Sequence, residues 1–83
     1  MSTPIDLAAV AARINALEAC TIYGQFTTDS EEPERYLSVL ISPANSVVFV
    51  HASGAVTSDD SFAGDDLMPL LTVLKIVAEA RGE

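Results

Sequence analysis

Few side chains in this sequence could carry chemistry, and they stand far apart. There is one histidine, His51, and one cysteine, Cys20. A histidine works as a general base only with a nucleophile and an orienting carboxylate held close to it, and no spacing here supplies that pair. Zinc sites repeat cysteine and histidine at short intervals, and His51 has no cysteine pattern beside it. Cys20 falls at a helix–strand junction, where a lone thiol behaves as a small buried hydrophobe. The four glycines, at 24, 54, 64 and 82, are too dispersed for a phosphate-cradling loop. The expectation is a non-enzymatic protein with no cofactor and no metal, in which His51 is an ordinary strand-end residue.

Carboxylates are what the chain does offer. Twelve Asp and Glu against four Lys and Arg give a net charge of −8. Eight of the twelve fall in two runs: Asp29, Glu31, Glu32 and Glu34 in DSEEPER, and Asp59, Asp60, Asp65 and Asp66 in DDSFAGDD. The second run does not fit an EF-hand, whose ligands alternate and close on a glutamate twelve positions along. Phosphate backbones and anionic membranes both need lysine and arginine, which argues against direct contact with either. Acidity of this kind serves solubility. It also lets carboxylates occupy arginine- and lysine-lined sites that otherwise hold phosphates. The eight acids are therefore the candidate partner-binding residues. The expected partner is a basic surface on a nucleic-acid-binding protein. Phage-borne inhibitors such as anti-CRISPR and anti-restriction proteins are similar in size, charge and lack of cofactor, and that likeness implies an inhibitory role.

The elements that must position these residues are organised around Tyr36 to Ala52, YLSVLISPANSVVFVHA. Two β-branched apolar runs, Tyr36–Ser42 and Ser46–Ala52, flank Pro43-Ala44-Asn45, a turn signal; together they predict a β-hairpin. Ahead of it, Leu7, Val10, Ile14 and Leu17 recur at helical spacing and predict a helix running to about Ala19, with Thr3 as N-cap and Pro4 at its first position. The period then changes to two over Cys20–Thr28. Cys20, Ile22, Gly24 and Phe26 are expected to meet the helix, while Thr21, Tyr23, Gln25 and Thr27 face outward. Gly24 within a strand marks a bulge or a close backbone approach, and here it is expected to make room for the helix. DSEEPER follows as an exposed, mobile loop. In the second strand Leu37, Val39 and Ile41 face the core. The third strand is apolar on both faces, so its outer face is expected to be covered in part by another subunit or a partner.

Beyond the turn Ala52-Ser53-Gly54, Ala55–Thr57 is a possible short fourth strand. Its presence decides geometry: with it, the two acidic loops lie at opposite ends of the sheet, and without it they share an end. The last helix runs from Leu67 to about Arg81, capped by Asp65 or Asp66, and Phe62 is expected to anchor the loop before it. Leu67, Leu70, Leu71, Leu74, Val77 and Ala78 make its broad apolar face, widened by Val73, Ile76 and Ala80. This excess predicts self-association through Val73 and Ile76, with Leu40 and Tyr36 on the exposed sheet face. A dimeric adaptor or chaperone-like assembly protein is the alternative function, although secretion-type chaperones are generally longer.

The predicted whole is one small α+β domain over residues 1–83: a two-layer αβββα unit, with or without the short fourth strand, and both helices on one face of an antiparallel sheet. The 49% hydrophobic content supports a real core. The double-stranded RNA-binding domain has the same element order, but it needs a basic face that this chain lacks. One cysteine, no leader and no membrane-length apolar run suggest a soluble cytoplasmic protein.

Overall fold

The computed structural model describes residues 4–59 and 62–82. Helix α1 (Leu7–Asn15) is followed by strands β1 (Cys20–Thr27), β2 (Arg35–Ile41), β3 (Ser46–His51) and β4 (Val56–Ser58). A single 3-10 turn at Gly64–Asp66 leads into helix α2 (Leu67–Ala80). The strands form one antiparallel sheet in the order β1-β2-β3-β4. Both helices cover one face of it. Leu7, Val10 and Ile14 of α1 and Val73, Ile76 and Val77 of α2 share a core with Leu37, Val39, Ile41, Val48 and Val50 of the central strands.

Helix α1 is shorter at both ends than its apolar spacing predicts. Its N-cap is Asp6, whose Oδ1 accepts from the N–H groups of Ala8 at 3.1 Å and Ala9 at 3.2 Å. Pro4 therefore precedes the helix, and the expected cap Thr3 lies outside the described residues. Ile5 lies ahead of the helix and donates its N–H to the Ala52 carbonyl at 2.8 Å. At the other end, four residues must turn the chain back into β1. Leu17 and Cys20 make successive turn hydrogen bonds to Ile14 and Leu17, so the helix stops at Asn15 rather than Ala19.

Strand β1 changes faces midway. Ile22 pairs with Val39, but the next paired residue is Gly24, opposite Ser38, which leaves Tyr23 as the extra residue of a bulge. One inserted residue reverses the side on which everything after it points. Cys20 and Ile22 face the helices as expected. Phe26 instead pairs with Tyr36 on the opposite face, and Gln25 takes the inward register opposite Leu37. The glycine makes room for an aromatic ring, not for the helix: a Cβ at Gly24 would lie 3.3 Å from Cζ of Phe26.

The β2–β3 turn contains a cis Ser42–Pro43 peptide, and Asn45 takes a left-handed φ of 64°, a conformation asparagine tolerates better than most side chains. Strand β4 is present and pairs with Val48 to Val50. The two acidic loops consequently lie at opposite ends of the sheet. DSEEPER shares its end with the β3–β4 turn, and the run into α2 shares the other with the β2–β3 turn.

Helix α2 is anchored at both ends. Near its start the Asp66 carboxylate holds the β2–β3 turn, and at its finish Arg81 Nη1 donates to the Gly54 carbonyl at 2.8 Å. Gly54 has a φ of 94° and its missing Cβ leaves space for the Arg81 stem. The apolar face expected for α2 is rotated. Val73 and Ile76 point into the core, while Leu67, Met68, Leu71 and Leu74 are exposed. Among the described residues no helix is long and apolar enough to cross a membrane.

Candidate functional site

The eight candidate acids do not form one surface. Asp66 is fully buried, and its carboxylate accepts from the N–H groups of Ala44 at 3.0 Å and Ser46 at 3.1 Å. Burial pushes this carboxyl up, yet the hydrogen bonds from the Ser46 hydroxyl and the two N–H groups outweigh it and hold it below the usual aspartate range. Asp66 occupies the N-cap position of α2 without making a side-chain cap, because its oxygens are committed to the turn. The buried Ser46 hydroxyl also accepts from the Ala63 N–H at 2.9 Å, so one polar node joins the turn to the segment entering α2. Asp66 is thus a structural residue.

Glu34 is committed as well. Its Oε1 accepts from the Ser53 N–H at 2.8 Å, and hydrogen bonds from Ser53 keep its carboxyl below the ordinary range, helped by His51 nearby. That contact ties the β1–β2 loop to the β3–β4 turn. The loop base is closed further by Thr28, which donates its N–H to the Glu34 carbonyl and receives the Glu34 N–H on its hydroxyl.

Asp29, Glu31 and Glu32 remain. All three are exposed, and no side-chain partner engages them among the described residues. At the far end Asp59 and Asp65 are exposed, while Asp60 lies outside the described residues. Among the described residues the densest free negative charge is therefore the β1–β2 loop, three carboxylates within four positions.

That loop borders the face of the sheet that the helices leave open. The register places Phe26, Tyr36 and His51 in one row across β1, β2 and β3, with Phe49 and Ser38 in the next and Leu40 beside Val47 beyond. The rings are in contact: Tyr36 lies 5.9 Å from Phe26, 5.6 Å from His51 and 5.7 Å from Phe49, the last pair edge-to-face at 88°. His51 Nε2 is 3.1 Å from the Thr57 hydroxyl, which holds the imidazole in the strand. Phe26 is 49% exposed. A hollow of about 370 Å³ opens where this cluster meets the acidic loop, lined by Thr27, Thr28, Asp29, Tyr36, Phe49 and His51.

A larger hollow of about 580 Å³ lies on the helix side of the same loop, against the start of α1. Its two carboxylates, Asp6 and Glu34, are already engaged with backbone N–H groups. Of the four residues suggested for self-association, Tyr36 and Leu40 are half-buried on the open sheet face, but Val73 and Ile76 are 0% and 5% exposed. Each is worth about 1.5–3 kcal/mol of burial within the monomer, so they cannot form an external contact while the core is intact. The exposed apolar positions of α2 are Leu67, Met68, Leu71 and Leu74 instead. Phe62 packs against the core, as an anchor should. Cys20 is buried, which pushes its thiol up and away from the reactive thiolate. Among the described residues no three His, Cys, Asp or Glu side chains gather as a metal ion would require.

Sequence reasoning missed Phe26 and Phe49 as members of the site. The signal for Phe26 was Gly24, a glycine inside a strand, which marks a bulge and with it a change of face. Phe49 was hidden by the continuous apolar run Val47–Val50, in which alternation cannot be read. The chain matches no family model, and no curated protein or solved structure shows significant similarity to it.

Proposed function

We propose that this protein is a non-enzymatic interaction module that docks on a basic surface of another protein, with the β1–β2 end of its open sheet face as the contact. The observation that carries the reading is the exposed Asp29 carboxylate lining a hollow with Tyr36, Phe49 and His51 on the open sheet face, with Glu31 and Glu32 exposed in the same loop. Free carboxylates supply steering and specificity toward arginine and lysine, and adjoining aromatics supply the area that charge alone does not. A net charge of −8 disfavours nucleic acid as the direct ligand and favours a protein that itself binds nucleic acid. Occupying such a site would block it, which makes inhibition the natural consequence of binding.

The test is capture of partners from a bacterial lysate on the tagged protein, washed at low and at high salt. Retention of a nucleic-acid-handling protein at low salt and its loss at high salt supports the reading. A partner indifferent to salt, or to reversal of the loop charges, contradicts it.

The exposed stripe of Leu67, Met68, Leu71 and Leu74 favours a second reading, in which α2 pairs with another copy or an apolar partner and the protein serves assembly. The Leu71→Glu substitution separates the two, because it lies outside the core and away from the acidic loop.

A further inference from the structure

The hollow between the aromatic cluster and the β1–β2 loop has the chemistry of a cation-binding pocket, and we infer that it receives an arginine side chain of the partner. This rests on the interaction-module reading and names the contact at its centre. Tyr36 and Phe49 stand edge-to-face at 88° and line the hollow together with His51, whose Nε2 lies 3.1 Å from the Thr57 hydroxyl. A cation over an aromatic face is attracted by the ring quadrupole, and the effect grows where water is displaced. Asp29 lines the same hollow and has no internal partner among the described residues, so its carboxylate is available to pair with the charge.

Thr27 and Thr28 complete the lining, with the Thr28 hydroxyl already bonded to the Glu34 N–H. The volume, about 370 Å³, accommodates one long side chain and not a folded element. Guanidinium fits better than ammonium here. It is planar, stacks on ring faces, and presents forked donors to a carboxylate, whereas the lysine head is a strongly hydrated point charge. Glu31 and Glu32 are exposed in the same loop and would take a second basic residue of the same partner segment.

The probe is acetylated hexa-arginine amide, titrated at low salt into the isotopically labelled full chain and followed by amide chemical shifts. Hexa-lysine and hexa-citrulline peptides serve as the charged and the uncharged comparison. The pocket predicts shifts concentrated at residues 27–29, 36, 49 and 51, with arginine bound more tightly than lysine and citrulline not bound. Tyr36→Leu, which keeps bulk and loses the ring, should weaken hexa-arginine binding by about threefold to tenfold. Asp29→Asn should weaken it similarly, and Asp65→Asn at the opposite end should leave it unchanged.

The two variants are independent, so a fold defect in Tyr36→Leu leaves Asp29→Asn to decide. Shifts spread equally around Asp59 and Asp65, or equal affinity for arginine and lysine with no effect of Tyr36→Leu, would overturn the pocket while leaving the acidic module standing. Failure of both basic peptides to bind at all would remove the module reading as well.

Discussion

Asp66 carries more of the structure than its place in an acidic run suggests. Among the described candidates its carboxylate is the one that is fully buried, and it satisfies two backbone donors of the β2–β3 turn. An unmet buried donor is costly, and a carboxylate is the strongest acceptor available for it. Asp66→Ala should therefore lower the thermal midpoint well below that of Asp59→Ala or Asp65→Ala, measured by circular dichroism. The same contact makes stability depend on pH. The folded carboxyl titrates below its unfolded value of about 3.9, so its contribution is complete above that pH and is lost as pH falls through the folded value. The gap in thermal midpoint between wild type and Asp66→Asn should accordingly be widest near neutrality and shrink below about pH 4. A constant gap across that range would mean that the carboxylate charge is not what holds the turn.

At the scale of elements, the bulge in β1 and the turn at Gly54 decide which faces meet. Gly54→Ala places a Cβ 2.5 Å from Cδ of Arg81 at a φ that side chains avoid. The expected loss is about 1–2 kcal/mol, read as a lowered urea midpoint with an unchanged slope. A neutral result would show that the α2 end and this turn adjust freely. On α2 itself, the two sides call for different experiments. A charge at Val73 or Ile76 enters the core and unfolds the protein, whereas Leu71→Glu falls on the exposed stripe. If α2 mediates self-association, Leu71→Glu should shift the protein to a smaller species by sedimentation while the helical signal persists.

The order of elements was legible in the sequence because apolar periodicity and turn residues are local signals. The face of Phe26 was not, since one unpaired residue, Tyr23, reverses it, and Gly24 signals a bulge or a close approach alike until the cross-strand register shows the insertion. The rotation of α2 was equally hidden. With apolar residues at nearly every position, its inner face is chosen by what the sheet and α1 present and not by its own pattern.

For the molecule as a whole, the distribution of charge matters more than its total. A fourth strand of three residues, Val56–Ser58, separates the acidic loops to opposite ends, so a partner can engage one of them without the other. The charge of each loop could be read directly from composition. Their separation depended on whether three residues paired with β3. Asp29 beside Tyr36 and Phe49, with Glu31 and Glu32 exposed in the same loop, gives one end a surface that combines charge with apolar area. The most direct test reverses charge at each end separately and asks which loses the partner captured at low salt. The double variant Asp59→Lys with Asp65→Lys should retain it, and the triple variant Asp29→Lys, Glu31→Lys and Glu32→Lys should lose at least about tenfold in affinity, since close charge pairs across interfaces couple by roughly 1.5 kcal/mol or more. Equal losses at the two ends would contradict a single acidic docking face, and retention by the triple variant would remove the β1–β2 loop from the interface altogether.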